Sequence, residues 1–192
     1  MKKDIELLYE IGCLRHIPRA WKQFLNSDFA NLSEHIFRVI WIAMVIAKHE
    51  NADVFKVMKM ALVHDIPESR TGDAHYMWTL HSTRDEDKAL IGMIGDTSLK
   101  ELISLHEEYK KRETKESKIV KDADNLDVDL ELQEQYVKGN KLKKTWKELR
   151  ERVYELLFTE TAKKLWKEIQ ESDPHSWHTT GSNKFTDGEW KR

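Results

Sequence analysis

One juxtaposition in this chain calls for chemistry: His64 and Asp65 are adjacent, with Met60-Ala61-Leu62-Val63 before them and Ile66-Pro67 after. An imidazole and a carboxylate side by side in an apolar setting need polar partners. His35 opens the most apolar stretch of the chain, on the same helical stripe as Val39, Ile42 and Ile46, so its ring points inward. Asp124 repeats the anomaly, sharing a face with Val120 and Asp127 on a stretch whose inward stripe is aliphatic. Two imidazoles and two carboxylates from three segments form a ligand set suited to one divalent ion: Zn, Mn, Co, Fe or Mg. Taken singly, His35 reads more readily as a core histidine bonded to a carbonyl, and Asp124 as a cap. The adjacent His64-Asp65 pair resists that explanation.

These residues must be carried by helices. Asn31-Leu32-Ser33-Glu34 is a capping-box variant opening a helix over about Leu32–His49, apolar nearly all round and suited to the middle of a bundle. Asp53 caps the next helix, whose Val54, Val57, Met58, Ala61 and Leu62 keep helical spacing up to His64-Asp65, where Pro67 limits it. A third helix over about Lys115–Val137 carries Ile119, Val120, Ala123, Leu126 and Leu130 inward and ends at Gly139-Asn140. Around these three, the patterning predicts a first helix over about Asp4–Leu14 with Ile5, Leu8 and Ile11 on one face. It also predicts helices opened by Thr83-Arg84-Asp85-Glu86 and Ser98-Leu99-Lys100-Glu101, and one long last helix over about Leu142–Glu171. Thr71-Gly72-Asp73 reads as a turn and His75–Ser82 as a loop long enough to act as a lid.

Seven Gly and three Pro in 192 residues, with few alternating β-branched positions, favour an all-α fold. The expected organisation is a single domain over residues 1–171, a helical bundle with the metal site in its centre, and an irregular tail over 172–192. The tail either packs by its aromatics, Trp177 and Trp190 anchoring it, or is disordered, and His175 and His178 make a poor second metal pair for want of Cys or acidic companions. A formal charge of −2 with interleaved signs gives no global field for a nucleic-acid polymer. No stretch approaches a membrane span, acidic residues interrupt the apolar N-terminal run, and Cys13 is alone, so a cytoplasmic location is expected.

The segments Asn31-Leu32-Ser33-Glu34-His35, Ala61 to Ser69, Thr71-Gly72-Asp73 and Lys121 to Asp127 resemble, in order and spacing, the motifs of the HD-domain phosphohydrolases. The similarity covers about residues 5–137 and is nearest to the small branch that holds the 5'-deoxynucleotidases. It implies that His35, His64, Asp65 and Asp124 hold the metal, whose Lewis acidity can bring the pKa of water from about 15.7 towards about 7. It also implies a catalytic Glu at Glu68, which orients or deprotonates water, and a further acid at Asp73 for proton transfer or sugar binding. From the residues alone, Glu68 is equally an exposed side chain after Pro67, and Gly72-Asp73 a plain turn.

A phosphate ester needs its charge met, and Arg15, His16, Arg19 and Lys22 lie close together with Trp21 among them. By the resemblance, Arg19 contacts phosphate and Trp21 helps select sugar and base, although Ala20 is inserted between the two; the alternative is a solvated basic loop. His75, Tyr76, Trp78 and His81 can close over a nucleotide, with packing on the bundle preferred for Trp78. Glu107-Glu108-Tyr109 echoes the branch but reads as a solvated helix face, outside the site. The expected activity is hydrolysis of a deoxynucleoside 5'-monophosphate. Rivals with the same site are a deoxynucleoside triphosphate, a cyclic nucleotide or a guanosine polyphosphate as substrate, or a non-catalytic nucleotide or metal sensor. A homodimer is expected from the branch and from the apolar surplus on the long helices.

Overall fold

The computed structural model describes residues 1–25 and 29–180. In chain order the helices are α1 (Lys2–Cys13), a 3-10 turn (Leu14–His16), α2 (Lys22–Leu25), α3 (Leu32–His49), α4 (Val54–Val63), α5 (Glu68–Thr71) and α6 (Tyr76–Thr79). They continue as α7 (Glu86–Ile94), α8 (Leu102–Lys111), α9 (Lys115–Val137), α10 (Leu142–Thr145), α11 (Lys147–Leu156), α12 (Glu160–Glu171) and α13 (Ser176–Thr179). The expected all-α fold is what forms, and among the described residues the one piece of extended pairing is an isolated antiparallel bridge between Pro18 and Asn31.

The centre is α3 packed on α4 and α9, with α8 and α12 closing the sides. The apolar stripe predicted for α3 is buried: Val39, Ala43, Ile46 and Ala47 have no exposed area. They meet Val57, Met60 and Ala61 of α4 and Ile119, Val120, Ala123 and Leu126 of α9. Truncating one such side chain, Ile46 for instance, costs about 2–5 kcal/mol, since lost transfer energy and a residual cavity add. The α3 cap is a true capping box: the Asn31 side chain accepts from the Glu34 amide while the Glu34 carboxylate takes the Asn31 amide. Asp53 caps α4 by accepting from the Lys56 amide, and Gly139, at φ +99°, follows the end of α9 as expected.

Several expectations give way. The inward residues of α1 are Leu7 and, beyond it, Leu14, whereas Ile5 and Leu8 are 47% and 65% exposed. Asp85, not Thr83, caps α7, and α8 starts at Leu102 without a side-chain cap, one turn later than the Ser98 box predicts; the Ser98 amide donates to Asp4. The long last helix expected over Leu142–Glu171 forms as three, parted at Trp146 and again at Leu157-Phe158-Thr159. Buried Asp122 of α9 takes the amides of Phe158 and Thr159 at 2.9 Å and the Thr159 hydroxyl at 2.8 Å, and Thr159 caps α12. The lid segment contains the helix α6. In the tail, Trp177 is 79% exposed and anchors nothing, while Trp190 lies outside the described residues.

Candidate metal centre

Helix geometry brings the four predicted ligands together. His35 sits in the first turn of α3, His64 and Asp65 at the C-terminal end of α4, and Asp124 midway along α9. One ligand atom of each lies within 4.8 Å of the others. Asp65 Oδ2 is 3.3 Å from Nε2 of both His35 and His64, and Asp124 Oδ1 is 3.4 Å from His35 Nε2.

Both imidazoles are turned for coordination. His35 Nδ1 lies 2.6 Å from Asp127 Oδ2 and His64 Nδ1 lies 2.7 Å from the Ala61 carbonyl oxygen. Each partner can only accept, so each Nδ1 carries hydrogen and each Nε2 presents a lone pair to the centre. Both Nε2 atoms are buried without a hydrogen-bond partner. Two orphaned lone pairs beside two carboxylates fit a divalent cation, and with four protein ligands a metal of this class retains room for water or substrate oxygens.

The electrostatics agree. Burial and Arg19 oppose charge on His35, yet the carboxylates of Asp124, Asp127 and Asp65 around it outweigh them and hold its pKa well above the usual histidine value. Carboxylates that favour a proton there favour a cation too. Burial likewise opposes charge on Asp65 and Asp124, but His64 and His35 hold the first well below the carboxylate range. Lys121, 2.7 Å from Asp124 Oδ2, and His35 do so for the second.

Glu68 is on the first turn of α5 and buried. Burial first, then the charges of Asp65 and Asp73, push its pKa up to about 10 against the opposition of Arg19 and Arg84. Its Oε1 accepts from Arg84 Nη1 at 3.0 Å, and Oε2 is buried without a partner, so the proton belongs on Oε2. Asp73 follows Gly72, whose φ of +75° suits glycine. It accepts the Ala20 amide at 2.7 Å and faces Arg19 Nη1 at 3.4 Å, so its contacts here are with the cationic segment.

Of that segment only Arg19 enters the centre: it is buried and lies 3.7 Å from Asp65 Oδ2, whereas Arg15, His16 and Lys22 are exposed. The main chain sets it there, with the Arg19 amide on the Ala30 carbonyl and the Leu32 amide on the Ile17 carbonyl, next to the start of α3. Trp21 instead packs edge-on to Trp146 at 5.0 Å and lies 6.0 Å from Tyr76. His75 is buried and pinned, its Nε2 donating to Gln23 Oε1 at 2.6 Å and its Nδ1 accepting from the Trp78 amide. Trp78, expected to pack, is half exposed, as are Tyr76 and Met77.

Four contributors were not singled out as site residues in the sequence. Asp127 orients His35, Lys121 holds Asp124, Arg84 holds Glu68, and Tyr109 is buried with its ring edge-on to His64 at 5.5 Å. Asp127 had a signal, one turn beyond Asp124 on the inward face. Tyr109 follows Glu107 and Glu108 in a charged stretch that masks it.

The sequence profile of the HD domain matches residues 11–173. The 5'-deoxynucleotidase HDDC2 of Danio rerio is 29% identical over 141 residues, 70% of each chain, and that of Homo sapiens 29% over 137 residues, 68% of this chain and 67% of its own. A conserved hypothetical protein from Pyrococcus furiosus superposes with a TM-score of 0.74 at 27% identity, covering 88% of this chain and 99% of that one. With the profile spanning most of the chain and the two-His, two-Asp centre formed inside it, the chain belongs to the HD domain family.

Proposed function

We propose that this chain is a metal-dependent 5'-deoxynucleotidase that cleaves deoxynucleoside 5'-monophosphates to nucleoside and phosphate. The observation that carries this is the convergence of two orphaned imidazole lone pairs with Asp65 and Asp124, beside a buried Arg19 and a proton-bearing Glu68. The curated relatives, which are 5'-deoxynucleotidases, support the substrate class.

His35, His64, Asp65 and Asp124 hold one divalent ion, from the set Co, Mn, Zn, Fe and Mg. Bound there, such an ion would supply Lewis acidity towards the phosphoryl group and water. Arg19 binds a phosphate oxygen, its guanidinium oriented by Asp73 and Asp65. Attack of water on phosphorus breaks the bond to the 5'-oxygen; Glu68 gives its Oε2 proton to that oxygen and is reprotonated from the attacking water, leaving hydrogen phosphate. Asp73 acts as a positioning residue for Arg19. Trp21, with Tyr76 beside it, forms the wall on which sugar and base rest.

Residues 1–171 act as one domain. Two copies pair through α3, where Phe37, Trp41 and Val45 form an i, i+4, i+8 stripe that is 65%, 56% and 45% exposed. The free, exposed thiol of Cys13 suits a reducing cytoplasm; among the described residues no helix is long and apolar enough to cross a membrane.

The test is phosphate release from a panel of deoxynucleoside and ribonucleoside monophosphates, deoxynucleoside triphosphates, cyclic nucleotides and guanosine polyphosphates. Turnover concentrated on deoxynucleoside monophosphates supports the assignment. Turnover confined to another member of the panel discards the substrate and keeps the site.

A further inference from the structure

Tyr109 is a buried polar side chain at the metal centre with no part in the reaction above. It stands in the last turn of α8, between Glu107-Glu108 and Lys110-Lys111, yet only 5% of it is exposed. Its ring is held from two sides. The His64 ring meets it in a T at 5.5 Å, and the Arg112 guanidinium carbon lies 3.3 Å from its centroid. Arg112 ends α8 at φ +55°, a left-handed conformation that a non-glycine residue keeps only where its surroundings fix it.

The hydroxyl of that ring has no partner in the protein. Among the described residues it takes part in no hydrogen bond, and it is not one of the sealed atoms, which include Nε2 of His35 and of His64 and Oε2 of Glu68. A phenol this deeply buried ordinarily finds an acceptor. The charges acting on it are, strongest first, Asp124, Asp65, Arg112 and Glu68, so the oxygen faces the centre. Asp124 and Asp65 do not take its hydrogen: Lys121 lies on the first at 2.7 Å and both imidazoles on the second at 3.3 Å. The O–H is left for a group that enters from outside.

We propose that Tyr109 is a substrate-contact residue, its hydroxyl donating to a non-bridging phosphoryl oxygen of the bound nucleotide while Arg19 binds another. The ligand is the phosphate monoester of the reading above, on which this assignment rests. A phosphoryl dianion needs several donors, and Arg19 is the one cation of its segment that reaches the centre. A phenol suits the remaining place better than a second cation, which would compete with a divalent ion for Asp65 and Asp124. It keeps its hydrogen at neutral pH and donates without adding charge. The grip of His64 and Arg112 on the ring fixes where that donor stands before the substrate arrives.

The test is Tyr109→Phe in the full chain loaded with Co(II), titrated with inorganic phosphate and followed by the visible spectrum of the ion. The substitution keeps the ring against His64 and removes only an oxygen with no protein partner, so melting temperature and Co(II) content should match wild type. Phosphate should bind about 10–100-fold more weakly, as expected for one lost hydrogen bond to a charged oxygen. kcat/KM should fall by a similar factor for every deoxynucleoside monophosphate, whatever its base. Phosphate bound equally by the two proteins overturns the proposal. A variant that melts lower or loses its Co(II) also overturns it, by assigning the hydroxyl to the fold. Weakened phosphate binding in a chain whose wild type cleaves no deoxynucleoside monophosphate upholds the contact and removes the nucleotidase reading.

Discussion

Asp127 accepts the Nδ1–H of His35 at 2.6 Å, and Arg38 holds Asp127 from its other side through Nε. Arg38 is itself fixed by Glu131 and Glu134 at 2.9 Å, so three carboxylates on α9, tied together by Arg38 of α3, set the angle at which one imidazole on α3 faces the centre.

An Asp127→Asn substitution therefore weakens metal binding without removing a ligand. An amide can donate to Nδ1 and turn the ring's lone pair away from the centre, and such outer partners are commonly worth about 10–100-fold in affinity. Competition titration with a chelator measures this; unchanged affinity contradicts the orienting role.

Glu68 makes the metal-stripped chain sensitive to alkali. Its pKa is about 10 in the folded chain against an ordinary 4.5, so the folded state binds a proton that the unfolded state releases. The stability it contributes is complete below 4.5 and is lost as pH rises towards 10. Thermal melts of stripped protein should fall across that window, and Glu68→Gln should flatten the fall. Parallel slopes for the two proteins would show that Glu68 is ionised when buried.

In catalysis the same Glu68→Gln variant should lose about 10²–10⁴-fold in kcat with KM little changed, as expected when a proton donor is removed. A loss confined to KM would assign Glu68 to binding instead.

Asp122→Ala should destabilise the fold while leaving the metal centre's residues untouched. It leaves the Phe158 and Thr159 amides and the Thr159 hydroxyl without their buried acceptor, at a cost of about 2–3 kcal/mol. Urea unfolding measures it, and a change under about 0.5 kcal/mol would mean that the break before α12 is held by other contacts.

Trp41→Glu places a charge in the middle of the exposed α3 stripe and should convert a dimer to a monomer in sedimentation at micromolar concentration. A wild type that sediments as a monomer removes the pairing.

Much of this was legible in the sequence because the signals were local. The Asn31 capping box, the Asp53 cap and the apolar runs of α3, α4 and α9 are short-range patterns, and the ligands stood out as polar residues on apolar stripes. What stayed hidden depends on contacts between distant segments. Asp122 interrupts the last helix from 36 residues away, Arg84 reaches Glu68 from 16, and Tyr109 turns inward from a charged stretch. Asp73 reads as a turn residue until the fold brings Arg19 and Ala20 against it.

The most direct measurement is metal content and phosphate release on the same samples: purified chain, stripped chain, stripped chain resupplied with each candidate ion, and Asp124→Ala. The account predicts one ion per chain, deoxynucleoside monophosphate hydrolysis that vanishes on stripping and returns with at least one ion, and loss of both in Asp124→Ala. Hydrolysis that survives stripping, or an Asp124→Ala chain that keeps its ion and its activity, would contradict it.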